Sequence, residues 1–376
     1  MERSLDRYLH GGYVSNKESE NYIDFSANIV PEMPERVKQA AIASIEEANH
    51  YPDPQYRRLR KAIAGKHGVQ PEQVVCGNGA GDLIYKIAQV FGKKQDFNDS
   101  EEGRKAALIV EPAFTEYERA LLQNGIEVIH YSTREDEFRL TERFFTDLEE
   151  KHKKPGIIFL AQPANPTGLL TDEGLLLRLG DYCEEKDILL VIDESFYELT
   201  VEGEKLWLGE EDDRGNVSQN KNARKRLLIL NSFTKLYGMA GLRLGYLIGY
   251  DTELLNKIDQ IGQPWSISAP AIAAGIAAMG LYEEEYRRPL TKYIAEERER
   301  MKIALEEAGF TVYPGEANYL FFYSERKDLY EKLLEKGIVI RDCSNYYGLS
   351  KGYYRVAILK KEENDHLIQV ILEIQM

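Results

Sequence analysis

Cysteine, histidine and positive charge are all in short supply in this 376-residue chain. Cys76, Cys183 and Cys343 stand far apart, with no paired spacing for zinc or for a disulfide framework. They are expected as reduced thiols in a cytoplasmic protein. The 6 histidines are scattered, so no metal site is indicated. Lys and Arg number 48 against 63 Asp and Glu, and the resulting net charge of −15 argues against nucleic acid or an anionic membrane as partner. Local positive pockets for a phosphate are compatible with that balance. No apolar run reaches the roughly 18 residues of a membrane span, and the first residues lack the apolar core of a signal peptide. Internal repeats and low-complexity segments are absent as well.

What is present is alternation. Apolar, strand-like runs and helix-like stretches follow one another from about residue 40 to 260. That pattern implies an α/β fold, a mostly parallel sheet with helices on both faces. A smaller α+β domain is expected after it, giving an arm over 1–40, a large domain over 41–260 and a small domain over 261–376. The small domain reads as a long helix over 282–308, then a strand over 311–313 that is interrupted at Pro314 and Gly315 and resumes at 318–322. A helix over 327–336, two arginine-bearing strands and a closing helix over 362–373 follow. The charged stretches 93–105 and 209–226 read as solvated loops.

Chemistry gathers at the strand ends. The run Leu227–Leu230 delivers Ser232, Thr234 and Lys235, and Arg243 follows between Gly241 and Gly245. A lysine amine beside hydroxyls and an arginine suits an aldehyde cofactor that carries a phosphate. Asp193 ends the run Ile188–Ile192, placed to hold a protonated pyridine nitrogen. Asn165 follows the run Ile157–Leu160 and leads into a Pro-Thr-Gly turn. The run Val74–Cys76 opens onto Gly77, Gly79, Ala80 and Gly81 before a helical stretch, a phosphate-binding arrangement of free backbone N–H groups. Each element alone has an ordinary structural explanation: a surface lysine, a turn, a strand-to-helix glycine. Four of them at strand ends in a compatible order point to one site.

These segments resemble the fold-type I pyridoxal-phosphate enzymes of the aminotransferase class I and II group over essentially the whole chain. Within that group, segments 10–12, 24–28, 51–53, 112–117, 264–266, 312–320, 340–345 and 353–357 resemble the threonine-phosphate decarboxylases of cobalamin synthesis. Those enzymes are themselves similar to histidinol-phosphate aminotransferases. The resemblance implies a homodimer, with the amino-terminal arm packed on the small domain. It implies Lys235 as the residue that links the cofactor's aldehyde, Asp193 as partner of the pyridine nitrogen and Asn165 as partner of the phenolic oxygen. Ala80, Gly81, Ser232, Thr234 and Arg243 would bind the phosphate, joined by Tyr51 of a second subunit, and Phe114 would stack on the ring. His10, Asn28, Arg341 and Arg355 would contact a phosphorylated amino acid substrate.

One departure bears on the reaction. Aminotransferases of this group usually carry Tyr three residues after the pyridine-binding aspartate; here that position is Phe196, as it tends to be in the decarboxylases. The expected activity is therefore decarboxylation of L-threonine O-3-phosphate, with an aminotransferase of histidinol phosphate or a similar anionic amine as the alternative. A cofactor-sensing DNA-binding protein is disfavoured by the acidic charge.

Overall fold

The computed structural model describes residues 11–12, 22–92, 106–150, 154–203 and 224–375. His10 and the stretches 93–105 and 209–223 lie outside the described residues.

After the short strand β1 (Ile23–Asp24) come the strands of a seven-stranded sheet. These are β2 (Val74–Gly77), β3 (Ala106–Glu111), β4 (Val128–Ser132), β5 (Pro155–Ala161), β6 (Leu189–Asp193), β7 (Leu227–Ser232) and β8 (Gly245–Gly249). Their order is β2-β8-β7-β6-β5-β3-β4, and only β8 runs antiparallel to its neighbours. The central strands are apolar runs because both faces are covered. Successive residues of β5 and β6 go to different core layers: Ile158, Leu190 and Ile192 to one, Ile157, Phe159 and Val191 to the other. Helices Arg57–His67 and Glu173–Glu185 supply the first layer, helices Ala80–Gly92 and Thr115–Gln123 the second.

The smaller domain contains β9 (Thr311–Tyr313), β10 (Tyr319–Tyr323), β11 (Ile338–Val339), β12 (Arg341–Asp342) and β13 (Tyr353–Ala357). Four of them form an antiparallel sheet in the order β12-β13-β10-β9. Two sequence expectations change here. The interrupted strand at 311–322 is two antiparallel strands, because the intervening turn docks on another turn. Glu316 N–H donates to Gly168 O at 2.8 Å, and a Cβ on Gly315 would lie 2.8 Å from Thr167 O. The long helix spans Arg287–Glu307 and does not begin at Tyr282. Pro289 explains this: it fits a first helical turn but would collide with the preceding turn from a helix interior.

Two bridges join the domains. Near the amino terminus, β1 pairs in parallel with β11, Phe25 N–H donates to Val339 O at 2.8 Å, and Ala357 N–H donates to Phe25 O at 2.8 Å. This leads residues 26–28 over the cleft. The second bridge is Phe138, held at φ 66°, which meets Tyr313, Phe321 and Tyr353 edge-on at 5.0, 5.4 and 6.0 Å. Beside it, Arg134 donates to Gly348 O at 3.0 Å and to the Tyr353 hydroxyl at 3.2 Å. Among the described residues no helix is long and apolar enough to cross a membrane.

Candidate active site

The carboxyl ends of β5, β6 and β7 open into a cavity of about 380 Å³, where ligands bind in open α/β sheets. At the end of β7, the Ser232 hydroxyl accepts from Thr234 N–H at 3.2 Å and caps the single turn Phe233–Leu236. That turn presents the Lys235 amine to the cavity, where it donates to Ala27 O at 3.3 Å and lies 5.2 Å from the Phe196 ring centre. Burial lowers the pKa of this amine to about 8, helped by the positive charges of Arg355 and Arg243 and opposed by Asp193. A substantial fraction of it is therefore neutral near physiological pH, as a nucleophile or proton carrier must be.

Asp193 closes β6 with both oxygens occupied. Oδ1 accepts from Ser195 N–H at 2.9 Å and Oδ2 from the Tyr117 hydroxyl at 2.5 Å. Asn165 Oδ1 accepts from Arg355 Nη1 and, at 3.3 Å, from the Tyr346 hydroxyl. With its oxygen engaged, the Asn165 amide N–H₂ remains to donate into the cavity it lines.

The opposite end is built for an anion. Ala80 and Gly81 start the helix Ala80–Gly92, and Ser232, Thr234 and Arg243 line the same cavity. Two glycines make the approach possible. A Cβ on Gly79, whose φ is +86°, would lie 2.8 Å from Arg243 Nη2, and one on Gly245 would lie 2.5 Å from Ala80 N. Phe114 lines the cavity as the aromatic wall.

Of the residues singled out from sequence, Lys235, Asp193, Asn165, Ala80, Gly81, Phe114, Ser232, Thr234 and Arg243 come together around this one cavity. Arg355 reaches it through Asn165 and also donates to Ser26 O at 2.8 Å. Arg341 pairs in register with Arg355 across β12 and β13, and it donates to Asn345 Oδ1 at 2.7 Å. Asn28 is buried with φ 53°, and neither its side-chain nitrogen nor its oxygen has a partner among the described residues. Tyr51 does not line its own chain's cavity. It is 81% exposed and packs on Trp265 at 4.6 Å.

Other contributors were not singled out as site residues, although Tyr117, Tyr319 and Asn345 lie in segments 112–117, 312–320 and 340–345 that carry the resemblance. Tyr117 reads as an ordinary core aromatic, and Ser195 acts through its backbone. Tyr346 and Tyr319 support the arginines, with Arg341 5.3 Å from the Tyr346 ring and Arg355 5.2 Å from that of Tyr319. An aldehyde-reactive amine, a carboxylate, an aromatic wall and an anion cradle together fit a planar phosphorylated pyridine aldehyde.

Known proteins agree with this geometry. The pattern of the family "Aminotransferase class I and II" matches residues 20–371. The threonine-phosphate decarboxylase of Salmonella typhimurium is 35% identical over 98% of this chain and 97% of its own. Histidinol-phosphate aminotransferase 2 of Archaeoglobus fulgidus is 28% identical over 99% of this chain and 98% of its own. Among solved structures, the histidinol-phosphate aminotransferase from Clostridium acetobutylicum superposes with a TM-score of 0.80 at 26% identity, covering 93% of this chain and 98% of that one. With fold, cleft and near full-length similarity in accord, the chain belongs to the aminotransferase class I and II family.

Proposed function

We propose that this chain is a pyridoxal-phosphate-dependent decarboxylase that converts L-threonine O-3-phosphate to (R)-1-amino-2-propanol O-phosphate for cobalamin synthesis. The observation that carries the reading is Phe196. It places a ring without a hydroxyl against the Lys235 amine, at the position where aminotransferases of this group usually carry a tyrosine. The full-length similarity to a threonine-phosphate decarboxylase supports the same reading.

Pyridoxal phosphate, when bound, supplies a sink for the electron pair left as a bond to the substrate's α-carbon breaks. The chain's residues do the rest. Lys235 would hold the cofactor's aldehyde, and its amine would return a proton to the substrate's α-carbon. Asp193 would hold the ring nitrogen's proton, Asn165 would donate to the phenolic oxygen, and Phe114 would cover the ring. The amides of Ala80 and Gly81 bind the cofactor phosphate with Ser232, Thr234 and Arg243. Tyr51 from a second copy completes that cradle in a homodimer.

Arg355 and Arg341 grip the substrate's two anions, joined by the Asn28 amide, which has no partner among the described residues, and by His10. Which bond at the α-carbon breaks would depend on how this grip orients the substrate, and in a decarboxylase it would present the carboxylate as the group to leave.

The test is product analysis of the cofactor-loaded protein with L-threonine O-3-phosphate and no keto acid. Stoichiometric carbon dioxide and aminopropanol phosphate over many turnovers are expected. Conversion of the cofactor to its amine form without carbon dioxide would instead identify an aminotransferase.

A further inference from the structure

Tyr117 lies in the first turn of the helix Thr115–Gln123, three residues after Phe114 and 76 positions before the carboxylate it touches. Its ring stacks on Phe159 at 5.2 Å and meets Phe114 edge-on at 5.8 Å. Packed this way, the phenol directs its hydroxyl at Asp193 Oδ2, and the 2.5 Å separation falls within the range of an O–H donated to an ionised carboxylate. Burial, then the charge of Asp193, raise the phenol's pKa well above its usual value, so the hydroxyl is a permanent donor. The cationic groups on the other side of the cavity, Lys235, Arg243 and Arg355, belong to different elements and hydrogen-bond elsewhere.

We propose that Tyr117 is a positioning residue that, through its short hydrogen bond to Oδ2, holds the Asp193 carboxylate aimed at the cofactor's ring nitrogen, and so sets how strongly the cofactor draws electrons. The proposal rests on the cofactor reading above. A carboxylate facing a pyridine nitrogen shares a proton with it according to the carboxylate's basicity. A hydrogen bond donated to the anion lowers that basicity and leaves the proton on the ring nitrogen. The Ser195 N–H holds the other oxygen and fixes the carboxylate's plane. Tyr117 thereby joins the helix that carries the ring-covering Phe114 to the strand that carries the ring's charge partner.

Tyr117→Phe keeps the ring and removes only the donor. A positive ring nitrogen makes the protonated linkage between Lys235 and the cofactor more acidic, so weakening that charge raises the linkage's pKa. The visible absorbance of the cofactor-loaded Tyr117→Phe protein should therefore titrate with its midpoint shifted upward by roughly one pH unit. Its kcat should fall about tenfold with little change in KM. Replacing Tyr117 with 3-fluorotyrosine, a stronger donor of nearly the same shape, should move the midpoint the other way and keeps the test open if Tyr117→Phe fails to fold.

An unmoved midpoint in a protein that binds the cofactor, with or without a lower melting temperature, overturns the proposal and leaves Tyr117 a structural phenol. Failure of the parent protein to show a cofactor absorbance band overturns both this proposal and the cofactor reading beneath it.

Discussion

At the scale of single residues, Lys235 sets the terms. Its amine titrates at about 8 in the fold against 10.5 in the open chain. Between those values the unfolded state holds more protons than the folded one, so the free energy of unfolding rises with pH across that window. Below it, the folded apoprotein carries the full penalty of a buried ammonium between two arginines. Lys235→Met removes the penalty. The apo variant should exceed its parent in stability at pH 7 by roughly 1–3 kcal/mol, and the difference should shrink toward pH 10. Urea unfolding from pH 6 to 10 measures this; a difference that does not change with pH would mean the amine is not responsible.

Lys235 was legible in the sequence because it follows a strand in a dense local pattern, and so were Asp193 and Asn165. Tyr117 was not, since the segment 112–117 pointed to Phe114 and the partner of Tyr117, Asp193, is 76 positions along the chain. Asn28 needed the structure for a different reason. Only burial without a partner separates it from any loop asparagine.

At the scale of elements, the apolar runs announced β2, β5, β6 and β7, because strands covered on both faces need no polar alternation. Boundaries were harder to read where one residue type admits two uses. Pro289 sits inside a helical pattern yet belongs to the helix's first turn, and the segment after Tyr313 turns back where the sequence reads as a pause. The antiparallel β8 matters most for the site, since it brings Gly245 against the start of the helix Ala80–Gly92. A Cβ there would lie 2.5 Å from Ala80 N and 2.7 Å from Gly79 C, both backbone atoms that must shift to admit it. Gly245→Ala is expected to weaken cofactor binding at least tenfold and to cost about 1–3 kcal/mol of stability. Equilibrium dialysis against pyridoxal phosphate measures the first effect. Unaltered affinity would remove the helix start from the phosphate site.

At the scale of the molecule, the domains are held by contacts between distant parts of the chain. Phe138 fills an aromatic cluster of the smaller domain, and its truncation to Ala should cost about 3–5 kcal/mol. If the second bridge is instead dispensable, Phe138→Ala will unfold at the parent's urea concentration. Next to it, His130 stacks on Tyr347 at 4.0 Å and bonds Glu111 at 2.9 Å. Burial disfavours its charge, but Glu111 and Glu118 outweigh that and hold its pKa at about 9. Because this value is raised from 6.5, the stabilisation is complete below pH 6.5 and fades as pH climbs through 9. His130→Gln removes this contribution, so the variant's stability relative to its parent should rise between pH 6 and 10, as thermal melts of the two proteins can measure.

The first bridge carries a consequence for how the protein is made. Ser26 and Arg355, which meet across the cleft, are 329 positions apart. On the ribosome, the stretch holding β1 emerges long before β11 and β13 exist to receive it. The seven-stranded sheet, complete by Gly249, can assemble while that stretch waits. The carbonyl of Ala27 is therefore installed over Lys235 only after β11 and β13 have emerged. A growing chain can hold a folded sheet before the cleft beside Lys235 is covered, since that cover waits for β11 and β13.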